Sequence, residues 1–368
     1  MRLPVRSRDV TAAWRAASAG GRLHALLCRV SAGVDVAMVR ATQRFFDPSS
    51  YCTAELLGRL DVMGTWAAAY ADVDPDRFYA SPAPPARVEL RPVRRLRGGR
   101  VFDLTWPSGY AVHHPGERER FAGWRENERV HVRLFAHERP APAIVLVHGY
   151  RGGLFRFEQR IWPVARLFRR GFDVALFTLP FHGLRSPTGW RGLPLFPNNR
   201  EIGRTNEGLG QAIWDLRGLL AWLRRRGAPR VGVAGMSLGG YVAALLGTVD
   251  ASPDFLVPFV PLADFADAYV AHQALRDEAV PAELVAAAHR CLALCRPLAR
   301  RPQVPGARVL VVAGEHDRVT GLAHAQSLAA HFGAALATFP GGHFLQFGRG
   351  RALAVMERFV VQRGMAAA

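Results

Sequence analysis

The sequence predicts an α/β fold. Its centre is a mostly parallel, twisted sheet with antiparallel N-terminal strands and helices on both faces. A helical insert and a helical N-terminal extension complete it. Three observations carry this reading. From residue 143 onward, short and fully apolar runs alternate with helical segments, the pattern of βαβ units whose strands are buried on both faces. Ahead of them, three runs alternate apolar with polar residues, as half-covered antiparallel strands do. Before those, residues 1–85 are rich in alanine, leucine and arginine and end at the proline-rich "SPAPPAR", which breaks helices and marks a boundary. The division is therefore a helical N-terminal extension, 1–85, and one large domain, 86–368.

Each element has its own signal. "ARVELRPV", "RVFDLTWPS" and "RVHVRLFAHE" lie close enough for hairpins or a meander. "AIVLVHG" is the first buried strand, and "RFEQRIWPVARLFRRG" reads as one helix closed by glycine. "FDVALFTLP" is the next strand. "NEGLGQAIWDLRGLLAWLRRRG" is an amphipathic helix whose last turn carries the arginines that suit a helix C-terminus. "VGVAGMS" is a strand, "LGGYVAALLG" the helix that follows it, and "FLVPFVPLA" another strand. "ARVLVVAGEHD", "LAHAQSLAAHFG" and "ALATFPGGH" give strand, helix and strand, and "GRALAVMERFVVQRG" the final helix. One stretch breaks the alternation. Residues 267–300 are helical with Pro281 inside, readable as an inserted lid or as a thick connection on the sheet face.

Composition narrows the function classes. Of 368 residues, 49% are hydrophobic, which is enough for a large core and argues against disorder. The net charge is +18, and all 48 basic residues are arginine. Such a surface attracts nucleic acid or anionic lipid. The arginines are scattered, however, and no nucleic-acid-binding signature accompanies the densest runs, "RPVRRLRGGR" and "LRRRG". A compositional bias toward arginine is the plainer reading, and no nucleic-acid partner is expected. Four cysteines, Cys28, Cys52, Cys291 and Cys295, are too few for a disulfide scaffold. Cys291 and Cys295 lie near His289, but nothing completes a ligand spacing, so no metal is expected. Idle thiols fit a reducing cytoplasm, the expected location. No signal-peptide pattern is visible, because Arg15, Arg22 and Arg29 interrupt the early apolar residues. "ALLCRVSAGVDVAMV" (residues 25–39) contains Arg29 and Asp35 and is too short and too charged to span a bilayer. It retains the character of a helix that lies on one, so peripheral membrane contact stays open. So does the oligomeric state.

The chemistry centres on "GMSLG", residues 235–239. Ser237 ends a buried strand and opens a helix, the setting of a nucleophile elbow. Gly235 and Gly239 keep side chains away where the backbones crowd, and the helix N-terminus suits developing negative charge. A serine hydroxyl needs a base, and the base needs an orienting acid. Asp317 in "AGEHDRVT" and His343 in "PGGHF" each follow the end of a strand. Glu315 is the rival acid, but it lies nearer its strand. An oxyanion would be met by the backbone N–H of Leu238 and by that of Tyr150 in "VLVHGYRGG", with Gly149 as the fallback.

Together, H-G-Y at 148–150, G-M-S-L-G at 235–239, G-E-H-D at 314–317 and G-G-H at 341–343 resemble the α/β-hydrolase superfamily, the esterase, lipase and peptidase group. The resemblance covers about residues 86–363. It implies an α/β-hydrolase fold and a Ser237, Asp317, His343 triad with an oxyanion hole. It implies an acyl-enzyme mechanism without cofactor. The implied substrate is a small-molecule or lipid carboxylic ester, with thioester or amide beside it. One segment departs from the pattern. "LPFHGLRSP" (residues 179–187) lacks the aspartate many relatives carry there, and is similar to the hydrolases related to α/β-hydrolase domain-containing protein 18. His182 within it reads as a loop residue rather than a pocket residue. The long loop 186–205 offers Trp190, Leu195 and Phe196 either as an acyl-pocket wall or as loop packing. Two alternatives remain: an acyltransferase on the same triad, and a non-catalytic module of this fold binding a membrane or a partner.

Overall fold

The computed structural model describes residues 21–43, 53–189, 194–198, 201–275 and 279–365. Among these, nine strands form one sheet: β1 Glu89–Leu96, β2 Gly99–Pro107, β3 Arg129–His137, β4 Ala143–Val147, β5 Asp173–Phe177, β6 Val231–Met236, β7 Leu256–Phe259, β8 Leu310–Gly314 and β9 Ala335–Phe339. Their order is β1-β2-β3-β5-β4-β6-β7-β8-β9. The half-covered runs make the antiparallel meander β1-β2-β3, and β3 runs antiparallel to β5. From β5 to β9 every pairing is parallel. The chain steps from β4 outward to β5, then returns past β4 to β6. Strand order therefore reverses between β4 and β6, and open α/β sheets bind ligands at the carboxyl ends of strands flanking such a reversal.

Apolar strands are needed because both faces are covered. Val145 and Val147 of β4 belong to the core layer that also holds residues of the helices Ile202–Arg225, Leu238–Val249 and Leu322–Phe332. Ile144 and Leu146 point the other way, into the layer that also holds residues of the helices Phe155–Ile161, Val164–Arg169 and Arg349–Gly364. The period of two along each strand splits the core into these two layers.

The structure corrects two element readings and settles one open side chain. The segment expected as one helix after β4 is two, Phe155–Ile161 and Val164–Arg169, with Pro163 between them. Proline has no N–H to donate to the preceding turn and its ring clashes there. The amphipathic helix begins at Ile202 rather than Asn206, which shortens the long loop. In that loop Trp190 lies outside the described residues, as does Cys52 of the extension. Phe196 is fully buried and packed on the helix at Gly208, so it is loop packing rather than an open wall.

The extension supplies the helices Gly21–Gln43 and Thr53–Ala71. The insert forms Phe265–Ala274 and Ala282–Cys291, with Pro281 at the start of the second helix. It is fastened on several sides. The Cys291 thiol donates to Met63 O at 2.9 Å, Asn206 Nδ2 donates to Cys291 O at 2.8 Å, and Tyr241 Oη donates to Cys295 O at 2.8 Å. Of the two readings of the insert, these bonds fit the thick connection. Burial pushes the Cys291 and Cys295 thiols up to about 11 and about 12, so both stay protonated and serve as packing. No helix among the described residues is long and apolar enough to cross a membrane.

Candidate active site

Three strand ends and one loop bring the predicted residues together. Ser237 sits at the turn between β6 and the helix Leu238–Val249, with φ 55° and ψ −114°. A non-glycine residue holds that conformation only where its surroundings enforce it. Here the Ser237 N–H donates to Phe259 O of β7 at 2.9 Å, and its carbonyl accepts from Tyr241 N at 3.0 Å. The flanking glycines let the backbones meet. A Cβ on Gly235 would stand 1.9 Å from Gly239 O, and one on Gly239 would stand 2.3 Å from Val147 O. The turn is thereby pressed against the end of β4.

His343 Nε2 lies 3.1 Å from Ser237 Oγ, and His343 Nδ1 lies 2.8 Å from Asp317 Oδ2. The Asp317 carboxylate is saturated. Its Oδ1 accepts from the N–H of Val319 and of Thr320, both at 2.8 Å, and its Oδ2 also accepts from the Thr320 hydroxyl at 2.8 Å. These bonds hold Asp317 as an acceptor-only anion, which leaves Nδ1 as the donor and Nε2 free to accept from the serine. Glu315, the rival acid, is exposed and accepts from Thr338 Oγ1 at 2.7 Å instead. Thr320 had no signal in the sequence beyond standing three residues after the acid.

Electrostatics follow the geometry. Burial alone would push the Asp317 carboxyl up, but the His343 charge, its hydrogen bond and those from Thr320 bring it down to about 2. Burial would lower His343. The Asp317 charge and hydrogen bond, with the more distant Asp35 charge, outweigh it and hold His343 above its ordinary value.

The predicted oxyanion donors, Leu238 and Tyr150, directly follow Ser237 and Gly149, two residues that stand side by side. Leu238 opens the helix, where the first N–H groups have no intrahelical acceptor. Tyr150 follows Gly149, where an added Cβ would stand 3.3 Å from Ser237 Cβ. Among the described residues, no turn or cap hydrogen bond uses the N–H of Leu238 or Tyr150. His148 shapes this turn. Its Nδ1 donates to Gly149 O at 2.7 Å, and its Nε2 accepts from Leu179 N at 3.0 Å. Burial pushes His148 down to about 4, so it is a neutral strut. His182 is also buried, donates Nδ1 to Pro180 O at 2.8 Å and packs beside Tyr150 and Phe196, in keeping with a loop residue.

The family model described as alpha/beta hydrolase domain containing 18 matches residues 125–275. Acetyl xylan esterase 1 from Thermoanaerobacterium sp. JW/SL YS485 superposes with a TM-score of 0.52 at 18% identity, covering 82% of this chain and 93% of that one. The acetyl xylan esterase from Paenibacillus sp. R4 gives 0.53 at 14% identity, covering 86% and 98%. The chain has the α/β-hydrolase fold, and the family match places its central segment 125–275 with the alpha/beta hydrolases. At these identities the structural likeness is one of fold. The uncharacterized protein Rv2627c of Mycobacterium tuberculosis is 30% identical over 281 residues, 73% of this chain. The chain spans 66% of the length of that relative. The expected α/β-hydrolase fold and the resemblance to the domain-containing-18 group both hold. The family segment 125–275 contains Ser237 and the Tyr150 turn, while Asp317 and His343 lie beyond it.

Proposed function

We propose that this α/β-hydrolase is a serine hydrolase that cleaves a carboxylic ester through an acyl-enzyme on Ser237. One observation supports this above the others: an unbroken relay runs from Asp317 Oδ2 through His343 to Ser237 Oγ, at 2.8 and 3.1 Å, on a strained turn. In this reading Ser237 Oγ attacks the ester carbonyl carbon while His343 Nε2 takes its proton. The N–H groups of Leu238 and Tyr150 receive the developing oxyanion, an interaction worth ~10²–10³ in rate per donor. The tetrahedral adduct collapses, His343 protonates the departing alcohol, and the acyl group stays on Ser237. Water, deprotonated by His343, then attacks the acyl carbon, and the acid leaves as His343 returns the proton to Ser237 Oγ. Asp317 remains ionised and keeps His343 in the required tautomer.

A fluorophosphonate probe tests this. The expected result is a single adduct that maps to Ser237, with Ser237→Ala losing the label and about 10⁴-fold or more of kcat on any aryl ester turned over. A folded wild-type protein that leaves Ser237 unlabelled would sink the proposal.

A further inference from the structure

Asp35 is a buried carboxylate in the interior of a helix. The helix Gly21–Gln43 turns a stripe of Cys28, Ser31, Asp35 and Val39 toward the body of the protein, all buried, and Asp35 is 0% exposed. A buried carboxylate is costly unless its oxygens are occupied by donors. Three backbone N–H groups occupy them. Asp35 Oδ2 accepts from His343 N at 2.6 Å and from Arg318 N at 3.0 Å, and Oδ1 accepts from Phe344 N at 3.0 Å. Arg318 directly follows the acid of the relay, and His343 is its base. One side chain from the extension therefore ties together the two loops that carry them.

The surrounding contacts show a fitted seat. A Cβ on Gly342 would stand 2.6 Å from Asp35 Oδ2 and 3.0 Å from Ser31 O, so the loop reaches the helix only because residue 342 is glycine. The same helix meets the loop again where His24 packs edge-on against Phe347, at 5.8 Å between ring centres. At its other end, Arg40 donates to Leu275 O of the insert at 2.8 Å.

We propose that Asp35 is a positioning residue for the His343 base, so that the N-terminal helix is a working part of the active site. This rests on the serine-hydrolase reading above. Asp35 acts in two ways. Its oxygens fix the backbone from which the imidazole projects, and a misplacement of 1 Å at a reacting group can cost ~10²-fold in rate. Its negative charge also favours the protonated form of His343. The titratable groups facing His343 are Asp317 from the β8 loop, Asp35 from the helix and His272 from the insert, with the Thr320 hydroxyl 3.5 Å from Nδ1.

The test is the rate of Ser237 labelling by a fluorophosphonate probe as a function of pH, in the full-length protein. Asp35→Asn removes the charge and sets an amide N–H against backbone donors. We expect labelling to slow by about 10- to 100-fold at the plateau, and the acid limb to move to lower pH. Asp35→Glu restores the charge, and its limb should return to the wild-type position with part of the rate recovered. Loss of packing alone would slow labelling without moving the limb. Gly342→Ala, which pushes on the same contact from the loop side, should slow labelling likewise and keeps the test open if Asp35→Asn does not fold. Folded Asp35→Asn protein with wild-type rate and limb overturns the role of Asp35, as does folded Gly342→Ala with a wild-type rate. Wild-type protein that does not label at Ser237 overturns the hydrolase reading instead.

Discussion

Ser237, His343 and Asp317 each occupy a place that costs stability unless its neighbours compensate. Ser237 has a positive φ. His343 and Asp317 bury two ionisable side chains, 9% and 2% exposed. The compensation is mutual, because each ion is the other's partner, and it sets a pH signature. The Asp317 carboxyl lies below its unfolded value of 3.8, so its stabilisation is present above that value and fades as pH falls toward about 2. His343 lies above its unfolded value of 6.5. Its stabilisation is complete below 6.5 and fades as pH rises through the folded value. Because the base acts only when neutral, the acid limb of kcat/KM for an aryl ester should be centred above pH 6.5. A limb centred below 6.5 would contradict the inferred environment of His343. These three residues were legible in the sequence because each stands in a short glycine-rich motif at a strand end. Asp35 was visible only as a lone acid in an apolar helical run, and its partners lie some three hundred residues away.

At the scale of elements, the "LPFHGLRSP" segment is anchored by a buried ion pair. Arg185 within it is fully buried, and its Nη1 lies 2.9 Å from Asp215 Oδ2 on the long helix Ile202–Arg225. Nη2 donates to Asn127 O at 2.9 Å, and Asp215 Oδ1 accepts from Ser108 Oγ at 2.6 Å. The segment after β5 is thus bolted to the helix and to the turn before β3, and its His182 ring packs against that of His148. Arg185→Ala strands Asp215 without its cation. We expect a loss of about 3–5 kcal/mol in urea unfolding, with the loop less protected in hydrogen exchange. A loss under about 1 kcal/mol would mean that Asp215 takes up a proton or solvent at little cost. Nothing in the sequence announced this pair, since an arginine in a polar loop reads as a solvated residue. The split at Pro163 was missed for a different reason: the apolar period continues across the proline and hides the break.

For the whole molecule, the two-layer core around the central strands holds the strand ends in register, and the site inherits its geometry from them. Leu146 of β4 is 1% exposed within one layer. Leu146→Ala should cost about 2–5 kcal/mol, measured as a lower urea midpoint with an unchanged slope, while Ser237 labelling of the folded fraction persists. A shift of less than about 1 kcal/mol would mean that the layer refills the cavity.

What the sequence by itself determined is local. Strand and helix periods, the βαβ alternation, the elbow at Ser237 and the strand-end positions of Asp317 and His343 follow from residues within a few places of one another. Only the tertiary structure decided where the insert is fastened, what anchors "LPFHGLRSP", and that the extension reaches the site through Asp35. The physical reason is that periodicity and turn chemistry are written in neighbouring residues. The satisfaction of a buried charge depends on partners that only the folded chain brings within hydrogen-bond reach.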